Sequence, residues 1–161
     1  MVTPAADAAA RHLGQAALAA GLTLAVAESL TSGQVCAAVG ATENSSTWFR
    51  GGVVAYASEV KFEVLAVPVG PVVSETAALA MAAGVRRLLG ADTGLAVTGV
   101  GGPDEQDGVS PGTVWLATSG PHGDRTRLLR LDGPPEAVVA AATENAIRMA
   151  QAALPSTDGG A

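Results

Sequence analysis

Residues 23–33, TLAVAESLTSG, join a short apolar run to a turn and then to the start of a helix. The run from Thr23 to Ala27 has the length of a buried strand, and the residues that follow it favour a turn. A helix is predicted from Thr31 to Val39, with Thr31 or Ser32 as its N-terminal cap. A buried strand that leads directly into a helix is typical of α/β proteins.

The alternation of helix and strand continues on both sides of this stretch. Further helices are predicted over Thr3 to Ala20, Ser58 to Leu65, Ser74 to Leu89 and Pro134 to about Ala153. Further strands are predicted over Gly52 to Tyr56, Gly94 to Thr98, Thr113 to Thr118 and Arg125 to Leu131. The short turn between the last two strands implies an antiparallel pair. We therefore expect an α/β fold: a three-layer α/β/α sandwich with a mixed, mostly parallel sheet of about five strands.

The length and composition indicate one packed domain. The chain has 161 residues, of which 48% are hydrophobic and 15% charged, and we expect a single domain over residues 1–155 with a disordered tail over 156–161. A single cysteine, Cys36, excludes an intramolecular disulfide and points to a cytoplasmic location. No run of about 20 apolar residues suggests a membrane span.

The charge distribution argues against nucleic-acid binding. The net charge is −6, and nucleic-acid binding normally needs a clear basic surface. The one basic cluster, Arg125, Arg127 and Arg130, is typical of a solvated sheet face. We therefore expect a small-molecule partner, and the sequence leaves homo-oligomerisation open.

The acidic residues give no sign of a metal site. Asp104, Glu105 and Asp107 lie close together in the glycine-rich loop from Gly99 to Gly112, but they lack the glycine and distal glutamate of a calcium loop. No cluster has metal-ligand spacing, so neither a metal nor a cofactor is expected.

Ser29 stands where a buried strand gives way to a helix. Free N–H groups at a helix start can stabilise an oxyanion or a phosphate, so residues 27–33 form the first candidate site. Glu28 beside it would be unusual as a buried residue without a partner. The alternative is that Ser29 or Thr31 only caps the helix.

Lys61 and Tyr56 are the only lysine and the only tyrosine of the chain, and they form the second candidate site. The other eight basic residues are arginines, which cannot lose a proton at useful pH, whereas a neutral lysine can act as a base or nucleophile. The apolar residues that flank Lys61 favour the neutral amine. The alternative is a surface lysine retained by compositional drift.

The third candidate site is the glycine-rich stretch over residues 97–103, VTGVGGP, whose backbone could approach a ligand closely. Its alternative is a flexible loop. All three sites follow predicted strands, so parallel strands would bring them together at one edge of the sheet.

These residues resemble the CinA C-terminal domain family, the nicotinamide-nucleotide amidases. The resemblance covers about Leu22 to Leu154 and rests on four motifs in order. The motifs are AESxTxG at 27–33, GGVVxYxxxxK at 51–61, Ser74-Glu75, and VTGxxGP followed by GTVW at 97–103 and 112–115. Family members often have cysteine and glycine where this chain has Leu30 and Ser32, and serine and asparagine where it has Ala57 and Ser58.

The resemblance implies hydrolysis of nicotinamide mononucleotide to nicotinate mononucleotide and ammonia. It implies Ser29 as nucleophile, with Lys61 and Tyr56 as catalytic partners. The further residues expected to bind substrate are Glu28, Leu30, Thr31, Ser32, Gly33, Thr98, Gly99, Gly101 and Gly102. Of these, the backbone N–H groups of residues 30–33 are expected to form an oxyanion hole, and residues 98–102 to hold the phosphate or ribose. The alternative function is a non-catalytic nucleotide-binding or competence-related regulatory module.

Overall fold

A computed structural model of the protein describes residues 1–155; the expected tail over 156–161 lies outside them. The helices are α1 (Pro4–Ala20), α2 (Gln34–Gly40), α3 (Ser45–Trp48), α4 (Ser58–Leu65), α5 (Glu75–Leu89) and α6 (Pro135–Ala153). The strands are β1 (Leu24–Glu28), β2 (Phe49–Val54), β3 (Thr93–Gly99), β4 (Thr113–Ser119) and β5 (Arg125–Arg130).

The five strands form one mixed sheet in the order β2-β1-β3-β4-β5. Strand β1 pairs in parallel with β2 and β3, whereas β4 is antiparallel to both β3 and β5. Four strands therefore run the same way and β4 runs against them. The α/β fold with a mixed five-stranded sheet and the antiparallel final hairpin are both confirmed.

Helices cover both faces of the sheet, which explains why every residue of β1 is buried. Val26 faces the layer formed by α1, α2 and α6 and packs in one core with Leu13 and Ile147. Ala27 faces the opposite way, into a second core with Met81 and other residues of α4 and α5. Successive side chains of β1 thus point to opposite faces of the sheet, and each face packs against its own layer of helices.

Parallel pairing places the ends of the first three strands side by side. Glu28, the last residue of β1, is in register with Val54 of β2 and Val97 of β3. The backbone N–H of Ser29 donates to Val97 O over 3.0 Å, which holds the first residue after β1 against β3. The expected convergence of the three stretches at one sheet edge is confirmed.

Two predicted boundaries are wrong for local backbone reasons. Helix α2 begins at Gln34 and not at Thr31, because Ser32 and Gly33 have φ angles of 48° and 96°, outside the right-handed helical region. Strand β2 covers Phe49–Val54 and not Gly52 to Tyr56. Its register with β1 ends at Val54, so Tyr56 lies in the connection to α4.

The left-handed backbone at Ser32 yields a prediction about stability. A residue with a Cβ is strained in this conformation by about 1–2 kcal/mol, whereas glycine is not. Glycine also increases the conformational entropy of the unfolded chain, which offsets part of this gain. We therefore expect Ser32→Gly to raise the free energy of unfolding by about 0.5–1 kcal/mol. Chemical denaturation measures the change. Ser32→Ala keeps the Cβ and is the matched control; a glycine variant no more stable than the alanine variant would contradict the prediction.

Candidate active site at the carboxyl end of the parallel strands

A cavity of about 460 Å³ opens beside the ends of β1 and β3. This volume lies within the range of small-molecule sites. Its walls come from the turn after β1, the loop after β3, the connection before α4, and the first turns of α6. The lining residues are Ser29, Leu30, Tyr56, Gly99, Val100, Gly101, Gly102, Pro103, Asp104, Glu105, Gln106, Pro135 and Val139.

Ser29 presents a free hydroxyl at this cavity. Its residue surface is only 8% exposed, and its hydroxyl forms no hydrogen bond with any residue in 1–155. The hydroxyl oxygen keeps access to the solvent in the cavity, since the fully buried side-chain polar atoms without a partner in the described chain are Trp48 Nε1 and Thr118 Oγ1. The side chain is therefore available to a ligand.

Glu28 faces away from the cavity, toward the start of α2. Its carboxylate is fully buried and accepts hydrogen bonds from the Thr31 hydroxyl (2.6 Å) and from the backbone N–H groups of Gly33 (3.1 Å), Val35 (3.1 Å) and Cys36 (2.8 Å). This carboxylate caps α2, a role that the sequence analysis considered for Ser29 and Thr31. Glu28 and Thr31 thus hold the turn that carries Ser29.

The cap predicts a large stability effect for Glu28→Gln. The glutamine amide has one acceptor oxygen where the carboxylate has two. Its NH₂ group faces backbone N–H donors, which therefore lose their hydrogen bonds to a charged acceptor. We expect the free energy of unfolding to fall by about 2–4 kcal/mol, measured by urea denaturation. Exposed Glu43 provides the control, because Glu43→Gln should change stability by less than about 0.5 kcal/mol. Equal effects for the two variants would rule out the capping role.

Two backbone N–H groups beside Ser29 have no acceptor among residues 1–155. The N–H of Ser32 donates to Ser29 O (3.1 Å) and that of Gly33 to Glu28, whereas no acceptor is found for those of Leu30 and Thr31. Of the four N–H groups expected to form an oxyanion hole, these two remain available. Leu30 also lines the cavity.

Lys61 is buried next to this region, in α4. It is 2% exposed, and its ammonium nitrogen donates to the backbone oxygens of Ala55 (2.7 Å) and Tyr56 (3.2 Å). Burial lowers the pKa of Lys61 below its ordinary value of 10.5, although the negative charge of Glu59 opposes part of the shift. The surface-lysine alternative is excluded. Lys61 does not line the cavity, and no hydrogen bond joins it to Ser29 in the described part of the chain.

The Tyr56 side chain projects at the cavity, and its residue surface is 69% exposed. Tyr56 holds Lys61 through its backbone oxygen and not through its hydroxyl. Any functional role of the Tyr56 ring would therefore be contact with a ligand in the cavity.

The glycine-rich stretch divides into a structural part and a cavity part. Thr98 is buried, and its hydroxyl donates to Val72 O over 2.8 Å, which turns it away from the cavity. A Cβ on Gly99 would lie 2.6 Å from Thr113 O, so this position needs glycine where β3 meets β4. Gly99, Gly101 and Gly102 line the cavity.

The structure therefore brings only part of the expected set to the cavity. The expected residues that line it are Ser29, Leu30, Tyr56, Gly99, Gly101 and Gly102. Those that do not are Glu28, Thr31, Ser32, Gly33, Lys61 and Thr98. The sequence analysis missed the contribution of Asp104, Glu105 and α6, although the acidic residues stood out in the sequence.

Other reactive groups do not extend this site. Burial raises the pKa of the Cys36 thiol, and the charge of Glu28 raises it further, so the thiol stays protonated and unreactive. His12 and His122 are both exposed, in α1 and in the turn between β4 and β5.

Within residues 1–155, no group of three or more His, Cys, Asp or Glu residues is arranged to hold a metal ion. Over the same residues, no helix is long and apolar enough to cross a membrane.

Comparisons with known proteins agree with the fold and with the family that the motifs resemble. Residues 6–154 match the family model of the CinA C-terminal domain. A CinA-like protein of Frankia casuarinae is 42% identical over 144 residues, which cover 84% of this chain and 33% of the relative. The chain thus spans about a third of the length of the curated relatives it matches.

Solved structures of similar chains cover nearly the whole domain. A competence-damaged protein (CinA) superfamily protein from Klebsiella pneumoniae aligns with a TM-score of 0.87 at 33% identity, covering 91% of this chain and 96% of that one. A competence or damage-inducible protein from Enterobacter asburiae aligns with a TM-score of 0.89 at 30% identity, covering 93% and 98%.

Proposed function

Because the chain belongs to the CinA C-terminal domain family, we propose that it is an amidohydrolase that converts nicotinamide mononucleotide to nicotinate mononucleotide and ammonia. The observation that carries the proposal is the Ser29 hydroxyl, which has no hydrogen-bond partner in the described chain and stands open to a cavity of ligand size. The motifs shared with the nicotinamide-nucleotide amidases support the choice of substrate.

Ser29 is the nucleophile of the proposed reaction. Its oxygen attacks the carboxamide carbon, and the resulting tetrahedral intermediate carries a negative oxygen. The free N–H groups of Leu30 and Thr31 lie on the two residues that follow Ser29 and are the donors we assign to this oxyanion. Removing one such donor from a serine hydrolase typically lowers kcat by about 10²–10³-fold.

Lys61 is the proposed base. The serine hydroxyl must lose its proton on attack, and the described histidines are exposed and do not line the cavity. Burial favours the neutral amine, which still has two N–H groups for Ala55 O and Tyr56 O and keeps its lone pair for a proton. Lys61 then returns this proton to the leaving nitrogen, and ammonia departs as the C–N bond breaks.

Water completes the proposed cycle. It attacks the acyl-serine carbon, and one of its protons passes through Lys61 to the serine oxygen as the C–O bond to Ser29 breaks. Its second proton is released from the new carboxylic acid. The products are the free carboxylate and the unmodified enzyme. No redox step or metal ion is required for this sequence.

One observation favours the alternative of a non-catalytic nucleotide-binding module. Lys61 donates to two backbone oxygens and to no described side chain, as expected of a lysine that only ties α4 to the preceding connection. In that case the cavity would bind a nucleotide without turning it over.

An ammonia assay separates the two functions. Purified protein is incubated with nicotinamide mononucleotide, and ammonia and nicotinate mononucleotide are quantified together. Equimolar formation of both over many turnovers is expected of the amidase. Binding detected by calorimetry, with ammonia no higher than for the Ser29→Ala variant, would instead identify a binding module.

A further inference from the structure

We infer that Thr31 is a positioning residue: its hydroxyl, held by Glu28, aims the backbone N–H groups that stabilise the oxyanion formed at Ser29. The inference rests on the proposed function, since it concerns the same nucleophile and the same oxyanion. The sequence analysis expected Thr31 to bind substrate, but Thr31 does not line the cavity. Any effect of its side chain on the reaction therefore passes through the backbone.

The anchor of Thr31 is the buried carboxylate of Glu28. The Thr31 hydroxyl donates to Glu28 Oε2 over 2.6 Å, and both residues are fully buried. Hydrogen bonds to a carboxylate are shorter and stronger than those between neutral groups. Glu28 is itself held in place, because it is the last residue of β1, which pairs with β2 on one side and β3 on the other. The hydrogen bond thus ties Thr31 to an interior strand of the sheet.

The turn that carries Ser29 depends on this hydrogen bond. Ser32 N–H donates to Ser29 O (3.1 Å) and closes the turn, so that Leu30 and Thr31 form its corner. Among these four residues, the Thr31 hydroxyl makes the only side-chain hydrogen bond within the described chain. The backbone of the corner is held once more, by Gln34 N–H, which donates to Thr31 O over 3.0 Å. Without the hydroxyl, the corner would keep one of these two attachments.

The same corner supplies the oxyanion donors. The N–H groups of Leu30 and Thr31 have no acceptor among residues 1–155, and such donors stabilise a transition state only when they point to the place where the charge develops. The anchored hydroxyl belongs to the same residue as one of these donors and to the residue next to the other. A displacement of about 1 Å in a catalytic group can lower the rate by about 10²-fold. Loss of the anchor should therefore slow the chemical step and leave the substrate contacts of the cavity in place.

The experiment replaces Thr31 by valine, which keeps the shape of the side chain and removes the hydroxyl. We expect kcat for nicotinamide mononucleotide to fall about 10-fold to 100-fold. KM should change by less than about threefold, because Thr31 does not line the cavity. Thr31→Ser restores the hydroxyl and should return kcat to near the wild-type value. A valine variant with wild-type kcat, or a serine variant as slow as the valine variant, would overturn the inference.

Thr42→Val is the matched control. Thr42 is also a buried threonine, and its hydroxyl donates to Val39 O over 2.7 Å at the C-terminal end of α2. It does not line the cavity, so the substitution removes a buried hydroxyl away from the turn and should leave kcat unchanged. An equal fall in kcat would count against a specific role of Thr31. If Thr31→Val does not fold, Thr31→Ala is assayed in its place, since it puts no methyl group against the Glu28 carboxylate, and the same fall in kcat is expected.

Covalent labelling of Ser29 measures the oxyanion donors without any amide hydrolysis. In the reaction with a fluorophosphonate, the serine oxygen bonds to phosphorus, the P–F bond breaks, and fluoride and the hydroxyl proton are released. The phosphonyl oxygen takes the place of the oxyanion, so the labelling rate depends on the same N–H groups. Intact-mass spectrometry follows this rate in the wild type, Thr31→Val and Thr31→Ser, with Ser29→Ala as the blank.

The two measurements separate this inference from the proposed function. Slower labelling of Thr31→Val than of Thr31→Ser, without amide hydrolysis by the wild type, would retain the positioning role and reject the amidase. Hydrolysis by the wild type with an equal kcat in Thr31→Val would retain the amidase and reject the positioning role. Absence of both labelling and hydrolysis in the wild type would reject both.

Discussion

Replacing Ser29 by alanine is expected to abolish amide hydrolysis and to leave the fold intact. The substitution removes the only proposed nucleophile, and we expect kcat to fall by at least about 10³-fold, in the range seen when a catalytic serine is removed. The stability should change by less than about 1 kcal/mol. The hydroxyl has no hydrogen-bond partner within residues 1–155, and Glu28 instead of Ser29 caps α2.

The measurement combines steady-state ammonia release with thermal unfolding of the same preparations. Ser46→Ala is the control, because Ser46 is an exposed serine of α3 that does not line the cavity. It should match the wild type in both rate and melting temperature. A Ser29→Ala variant with near-normal rate, or one that unfolds, would show that Ser29 is structural and would remove the basis of the serine mechanism.

The position of Ser29 could be predicted because it depends on local pattern. The apolar run from Thr23 to Ala27 has no feature of an edge strand, and the residues after it favour a turn, although the strand in fact continues through Glu28. In an open α/β sheet the carboxyl ends of the parallel strands lie along one edge, so the pattern predicted Ser29 at that edge. The glycines of residues 99–102 follow from the same argument at β3.

The role of Glu28 could not be predicted, because it depends on the path of the turn. The left-handed backbone of Ser32 and Gly33 folds the chain back, so that four donors from Thr31 to Cys36 reach one carboxylate. Propensity alone gives serine or threonine as the cap and leaves a buried glutamate without a partner. The fold of the turn instead makes Glu28 the cap of α2.

The acidic part of the cavity depends on contacts that are distant in sequence. Asp104 and Glu105 were visible as charged residues, but their place beside Ser29 follows from the course of a long loop. The first turns of α6, through Pro135 and Val139, line the same cavity although they lie 30 or more positions after Glu105 in the chain. No periodicity in the local sequence indicates that these distant segments line one cavity.

The surroundings of Lys61 were predicted in part. Its apolar neighbours in sequence indicated desolvation, and the side chain is indeed buried with a lowered pKa. The sequence pattern placed Tyr56 beside Lys61 but did not indicate which atom meets the amine. The structure uses the backbone oxygens of Ala55 and Tyr56, which any side chain at those positions would supply.

Lys61 should make both activity and stability depend on pH. Activity should rise as the amine loses its proton, with an inflection below 10.5 because burial lowers its pKa. Between the folded pKa and 10.5 the unfolded chain binds more protons than the folded one, so the free energy of unfolding should increase with pH across that window. This contribution is complete above 10.5 and is lost as the pH falls through the folded pKa.

Replacing Lys61 by arginine should inactivate the enzyme although it preserves the positive charge. Arginine cannot lose its proton, so Ser29 stays unactivated, and a lost general base typically lowers the rate by about 10²–10⁴-fold. The pH inflection should disappear with it. The decisive measurements are kcat across pH and the melting temperature of wild type and variant.

Tyr56→Phe is the control for the anchoring of Lys61, because the backbone oxygen that accepts from the amine is unchanged. Its effect on kcat should be much smaller than that of Lys61→Arg, and its pH inflection should remain. If Lys61→Arg unfolds, Lys61→Met gives the second comparison, since it is uncharged and has no lone pair able to take a proton at neutral pH. A folded variant of either kind within a few-fold of wild-type kcat would mean that Lys61 only ties α4 to its neighbours, and the lysine-base mechanism would fall.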